Sequence, residues 1–432
     1  MAKHSIKSLH SRRVWDSRGR PTVEVEVNLE GGATGVAIAP AGASRGRFEA
    51  IDLRDGGKTF GGWDVKQAIK SVDIEIAEVL QGQDARDQAR IDKFMIDLDG
   101  TPNKQRLGGN ATVATSMAVA HAAAQHEAVP LWQYLRGQAG TQGDVTLPLP
   151  EIQIFGGGAH ASGRVDVQDF MVISTGAQSF CEALDWTAEV YRHAGLIMDE
   201  AGKLSGVADE GGFWPDFDTN EEAIETLLRA IEAAGFKPGA EVAISLDIAA
   251  SEFGENGSYR LAKDDKTLNS DELCALLVDW MERYPIVSIE DPLGEDDPDG
   301  LIKFTWAVGD NAQVVGDDVL VTNADRVKAA AKDRVCNALL VKPNQAGTLT
   351  EAKAAFDAAK ASGMGQIVST RSGETEDATI VHMAVGWGAL QLKVGSFTRS
   401  ERMVKWNEGI RIADTLENKD GALMPRSAFQ WR

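Results

Sequence analysis

The chain has 432 residues, 43% of them hydrophobic, which is enough for a large core and for two domains, one of them a barrel. A formal net charge of −21 speaks against nucleic-acid binding, which calls for basic patches, and against an anionic membrane surface. Three scattered cysteines, Cys181, Cys274 and Cys336, do not make a disulfide framework and fit a reducing compartment. With no apolar leader and no long uncharged apolar run, the expectation is a soluble, cytoplasmic protein. An acidic protein still binds an anionic substrate where a metal and local Lys or Arg reverse the field.

Residues 22–39 alternate with period two around a Gly-Gly turn and predict a hairpin, followed by a small-residue loop over 40–50. Residues 64–96 and 110–127 read as helices, the second rich in alanine. The front of the chain is therefore α+β. A short, polar, Gly-rich stretch at 137–147 places the boundary between an N-terminal part, 1–140, and a C-terminal part, 141–432. From 148 onward strand and helix candidates alternate, with helices predicted over 221–234, 270–283, 324–333 and 350–361.

The strand-like runs end in chemistry. VAISLD ends at Asp247, IVSIED supplies Glu290, QVVGDD supplies Asp317, ALLVK ends at Lys342 and LQLK at Lys393. The last three steps are 27, 25 and 51 residues, the final one about twice a strand-plus-helix unit. Polar residues at successive strand ends predict a (β/α) barrel with its site at one mouth. Three carboxylates there could converge on Mg²⁺, which takes oxygen ligands and keeps several waters; without nearby His or Cys, zinc is a poor fit. The plainer alternative for each acid is the N-cap of the next helix. A lysine beside another lysine or a divalent metal has a lowered pKa and becomes a usable base, although a lone strand-end lysine is ordinarily solvated.

Three loops carry further candidates. DEGGFWP sets Glu210 beside two glycines, as a general acid or as part of a plain turn. GGGAHA places His160 on a Gly-rich loop that lacks the G-x-G-x-x-G fingerprint, and a lone histidine is ordinarily structural. STRSGETED offers Arg371 and Ser372, donors suited to a phosphate or members of a solvated turn.

Taken together, the chain resembles the enolase (phosphopyruvate hydratase) family over nearly its whole length. DSRGRPTVEVEV, PAGASRGRFEA, ADEGGFWP, LDIAASEF, SIEDP, VGDDVLVTN, NQAGTLTEA, RSGETEDA and GSFTRSERMVKWN echo family motifs in the family's order. The resemblance implies an α/β fold, a modified (β/α)8 TIM-type barrel with an N-terminal α+β capping domain, usually as a homodimer. It implies reversible dehydration of 2-phospho-D-glycerate, a small phosphorylated carboxylate, to phosphoenolpyruvate with two Mg²⁺ per site. By motif, Asp247, Glu290 and Asp317 would hold the first Mg²⁺ and Ser44 would help ligate the second. Lys342 would be the base, Lys393 would hold the substrate carboxylate, and Glu210 would protonate the departing hydroxide. Arg371 and Ser372 would bind the phosphate, and His160 would line the leaving-group side.

The chain departs from the family pattern at several of these places. Thr370 stands where the family has histidine, and Asp169 where it has the glutamate that supports the leaving-group acid. Gly156 and Ala159 lose polar groups, Pro343 replaces a valine, and Ala41 replaces the serine that opens the closing loop. These changes cluster on the phosphate and leaving-group side. They leave open an alternative, a diverged lyase acting on a related phosphonate or other 2-substituted carboxylic acid.

Overall fold

The computed structural model describes residues 2–43 and 45–416. The chain opens on an antiparallel three-stranded sheet, β1 (Ile6–Trp15), β2 (Pro21–Leu29) and β3 (Thr34–Ile38), in the order β1-β2-β3. The predicted hairpin is β2–β3, with Val27 opposite Gly35. Strand β1 escaped the pattern because polar and charged side chains occupy most of its positions, leaving only Ile6 and Ser11 buried.

The alanine-rich helix Gly109–His126 packs against β2 and β3. The approach is so close that a Cβ on Gly35 would sit 2.1 Å from the Ala118 carbonyl oxygen, so no larger residue fits there. Small side chains let this helix be buried on nearly all sides. Its other face meets the C-terminal part of the chain, where Ser116 Oγ accepts from the Leu349 amide at 3.0 Å. Nearby, buried Asp92 accepts from Thr350 through both amide and hydroxyl, at 2.9 and 2.6 Å. The run predicted as one helix over 64–96 is broken. A helical stretch over 66–80 ends where Gln81 turns out of the helix at ψ 129° and Gly82 follows at a φ of 83° that no continuing helix accommodates. A new helix, Gln88–Asp99, starts with the Asp87 carboxylate capping the Arg90 amide.

Among the described residues, eight strands close into a barrel. Its first three strands are β4 (Leu149–Gly156), β5 (Asp169–Ile173) and β6 (Ala243–Asp247); β7 to β9 form a separate small sheet over 254–255, 258–261 and 266–269. The barrel continues with β10 (Ile286–Glu290), β11 (Gln313–Gly316), β12 (Ala338–Val341), β13 (Gly365–Ser369) and β14 (Gln391–Ser396). β14 then pairs with β4 to close the ring. All neighbours are parallel except β5, which runs antiparallel to both β4 and β6. The doubled 51-residue step contains β13, so no strand is missing from the ring. The four predicted C-terminal helices are Asn220–Ala233, Ser270–Arg283, Ala324–Asp333 and Leu349–Ala361. Each begins at a side-chain cap, Thr219, Asn269, Asn323 and Thr348 respectively. The three cysteines are free. No described helix is long and apolar enough to cross a membrane.

Candidate active site

The strands deliver the singled-out residues to one mouth of the barrel. Asp247 and Glu290 end β6 and β10 and are laterally paired, while Asp317 and Lys342 follow the last residues of β11 and β12. Lys393 does not end its strand as expected. It is the third residue of β14, level with Glu151 of β4 and Ser369 of β13, and points into the ring from slightly below the rim. Because β5 is reversed, its first residue, Asp169, is level with Asp247, the last residue of β6. A strand start thus joins a ring otherwise made of strand ends.

Around this ring the four carboxylates Asp169, Asp247, Glu290 and Asp317 follow one another on or just past β5, β6, β10 and β11, and Lys342 and Lys393 stand together on the remaining arc. Lys393 Nζ donates to Asp247 Oδ2 at 2.9 Å and to Glu290 Oε2 at 2.8 Å, and lies 3.5 Å from Asp169 Oδ2. Lys342 Nζ donates to Asp317 Oδ2, whose other oxygen accepts from Gln345 Nε2 at 2.8 Å. None of the three acids caps a helix; all are buried and face cations. Burial and the neighbouring Asp247 push the Glu290 carboxyl well above its ordinary range. Burial opposes the charge on Lys393, but Asp247, Glu290, Asp169 and Glu151 more than offset it and hold its pKa well up. Lys342 corrects an expectation. Burial lowers its pKa, but Asp317 outweighs burial and neighbouring Arg371, leaving it raised rather than lowered.

The ring fits a hard cation. Glu290 Oε1 is buried and has no hydrogen-bond partner, so an oxygen of this acid is left for a positive charge to satisfy. The donor set around it is all carboxylate, suited to Mg²⁺ rather than zinc. Two tighter groups also have ligand atoms within 4.8 Å of one another: His160, Asp169 and Glu210; and Asp291, Asp317 and Asp318. Asp317 belongs to the second of these.

Beside Lys393 lies a second polar cluster. Asp169 Oδ1 is shared between His160 Nδ1, at 3.0 Å, and the side-chain amide of Gln153. His160 Nε2 is 3.7 Å from Glu210 Oε1 and 3.3 Å from Ser372 Oγ. Burial lowers the His160 pKa, but Asp169 and Glu210 overcome it and raise it to about 9, so the ring is a cation in this setting. The same contacts hold the Asp169 carboxyl far below its usual range despite burial. Glu210 is itself buried, in a turn where a Cβ on Gly211 would sit 2.7 Å from the Thr398 carbonyl oxygen. Gly156 opens no space here, since its missing Cβ would lie 2.7 Å from that of Ala208.

Arg371 and Ser372 extend the wall beyond β13. Arg371 is buried rather than solvated; its Nη1 donates to Asn344 Oδ1 at 3.1 Å and to Glu49 Oε2 at 3.0 Å. Burial disfavours its charge, and Glu49 more than restores it. Ser372 Oγ accepts from the Ala43 amide at 3.1 Å. Thr370 turns its hydroxyl to Arg402 Nη1, at 3.2 Å, and Arg402 also donates to the carbonyls of Arg371, Ser372 and Val394. Ala41 needs no side chain for its place, because its amide and carbonyl pair with those of Gly373 at 2.9 Å each. Pro343 opens a short helix, Pro343–Ala346, where no N–H is needed. Ser44 lies outside the described residues.

Several site residues were not singled out from sequence. Gln168 donates to Asp247 Oδ2 at 3.1 Å, and Gln153, Glu49, Asn344, Gln345 and Arg402 hold the groups already named. Most lie within the family-like motifs, which was the available signal; Gln153 and Glu151, pointing into the barrel from β4, carried none.

Fold and site together define a capped-barrel enzyme whose mouth sets buried lysines against carboxylates, with Arg371 buried in the adjoining wall. The N-terminal domain model of enolase matches residues 6–135, and the model of the enolase C-terminal TIM barrel domain matches residues 144–423. "Enolase 1" of Desulfitobacterium hafniense (strain Y51) is 47% identical over 419 residues, spanning 96% of this chain and 95% of that protein. The chain belongs to the enolase family and is a hydro-lyase of the phosphopyruvate hydratase type.

Proposed function

We propose that this enzyme interconverts 2-phospho-D-glycerate and phosphoenolpyruvate with the residues described above. The observation that supports this most is the ring in which Lys342 and Lys393 face Asp317, Asp247 and Glu290 at the barrel mouth. Lys342 Nζ takes the proton from C2, and Lys393 holds the substrate carboxylate whose charge rises as that proton leaves. The C3–O bond then breaks as C2=C3 forms, and Glu210 gives its proton to the departing hydroxide, releasing water. His160, held by Asp169, lines that side and keeps a positive edge toward Glu210. Arg371 and Ser372 grip the phosphoryl group.

Asp247, Glu290 and Asp317 would hold Mg²⁺, and Ser44 would contribute to a second ion. Bound there, the metal supplies positive charge against the negative charge that accumulates on the carboxylate. Asp317 is the contact that most holds Lys342 protonated, so a cation sharing Asp317 would weaken that hold, and burial and Arg371 would then favour the free amine. The same reading takes residues 1–140 as a capping domain and 141–432 as the catalytic barrel, in a cytoplasmic homodimer.

A second reading, a lyase for a related phosphonate or another 2-substituted carboxylic acid, is favoured by Thr370. Its hydroxyl is engaged by Arg402, so this position offers the substrate no imidazole. Purified protein with Mg²⁺ and 2-phosphoglycerate, followed by the ultraviolet absorbance of the enol product, decides between the two. Rapid turnover supports the first reading; negligible turnover with metal bound overturns it in favour of the second.

A further inference from the structure

Glu49 lies in the loop after β3, 322 residues from Arg371, yet its carboxylate sits on the guanidinium. Arg371 Nη1 reaches Glu49 Oε2 at 3.0 Å and Nη2 reaches Oε1 at 3.2 Å, a two-pronged contact between buried groups. A guanidinium uses the same pair of parallel N–H bonds to grip a phosphoryl group. Glu49 therefore engages a face of the arginine that is also suited to an incoming oxyanion.

The exchange is made cheap by what surrounds Glu49. Its Oε1 also accepts from the Gly46 amide at 3.1 Å and from Gln345 Nε2 at 3.3 Å. A carboxylate leaving the arginine keeps these donors and is not stranded unpaired. Gln345 in turn donates to Asp317 Oδ1 at 2.8 Å, which connects this carboxylate to the acid beside Lys342.

We propose that Glu49 is a specificity-determining residue: an incoming anion must displace its carboxylate from Arg371, so a dianionic phosphoryl group is admitted and a monoanion such as a carboxylate is not. This rests on the reading of Arg371 as the phosphoryl arginine. A resident carboxylate matches another carboxylate in charge and fork geometry, so exchanging one for the other gains little. A dianion brings greater charge to a desolvated guanidinium and wins.

The test is calorimetric titration of the full chain, in Mg²⁺ buffer at alkaline pH, with inorganic phosphate and separately with formate. Glu49→Gln keeps the shape and removes the competing charge. It is expected to bind phosphate roughly ten- to hundredfold more tightly than the unaltered protein, the range of a hydrogen bond to a charged group. Formate, without measurable binding to the unaltered protein, should bind the variant. Glu49→Asp keeps the charge but shortens the reach, and is expected to tighten phosphate binding by a smaller factor. It carries the test if circular dichroism shows Glu49→Gln unfolded. Phosphate binding that is unchanged or weaker in the folded Glu49 variants overturns the proposal, since Glu49 would then merely orient the guanidinium. Arg371→Gln separates the two levels: unchanged phosphate binding in that variant overturns the reading of Arg371 itself, whatever Glu49 does.

Discussion

Replacing Lys393 by methionine should destabilise the metal-free protein sharply and make it depend on Mg²⁺. The ammonium touches Asp247 at 2.9 Å and Glu290 at 2.8 Å, with Asp169 at 3.5 Å. At an effective dielectric of 20, each of the two close contacts carries about 6 kcal/mol of attraction, offset by the desolvation of both partners. Measured losses on breaking buried pairs suggest a net cost of about 3–5 kcal/mol, because the carboxylates are left facing one another. Glu290, already pushed up in pKa, takes a proton and relieves part of this as pH falls. The assay is urea denaturation followed by tryptophan fluorescence, in EDTA and in excess Mg²⁺. The variant's midpoint should fall well below that of the unaltered protein in EDTA. Added Mg²⁺ should raise it by more than it raises the unaltered protein, since no ammonium then competes for the acids. A variant within about 1 kcal/mol of the unaltered protein in EDTA, or equal Mg²⁺ effects on both, would refute the view that Lys393 neutralises a cation site.

Lys342→Ala should abolish exchange of the substrate's C2 proton with deuterated solvent, read by NMR, while calorimetry shows Mg²⁺ binding largely intact; continued exchange removes Lys342 from the base role. Thr370→His should raise turnover of 2-phosphoglycerate if the engagement of Thr370 by Arg402 limits the phosphate side; no gain in steady-state rate would point to Asp169 and its neighbours or to a different substrate. Acid should destabilise the protein through His382, whose pKa is lowered to about 4 by burial and the adjoining His121 ring, with Glu408 opposing. The unfolded chain binds the proton more readily, so this contribution is present above pH ~6.5 and is lost as pH falls through about 4, at most about 3 kcal/mol. His382→Gln should flatten that part of the stability–pH curve measured by thermal melts, and an unchanged slope would rule His382 out as its source.

Much of the site was legible because strand chemistry is local. Apolar runs ending in Asp247, Glu290, Asp317 and Lys342 announce strands that terminate at a polar rim, and the helices between them carry their own caps. Residue types alone raised the expectation of a hard-cation site with a lysine base. Resemblance to a family supplied the individual roles. Strand β1 and the break after residue 80 were not legible, the first because its side chains are mostly polar, the second because a positive φ at Gly82 leaves no mark in hydrophobic spacing.

Pairing and direction belong to the tertiary structure. The run at 169–173 reads the same whichever way it points, and only its ladder with β4 and β6 reverses it and brings Asp169 level with Asp247. Lys393 meets Asp247 and Glu290 across 146 and 103 residues because ring closure sets the register, and Glu49 reaches Arg371 across 322 because the cap folds onto the barrel mouth. Sequence by itself determined which side chains could do the chemistry, since residue type and periodicity are properties of a few neighbouring positions. Which carboxylate faces which cation, and hence which pKa rises, was decided by backbone hydrogen bonds between strands far apart in the chain, whose energies depend on the closed ring and not on any local segment.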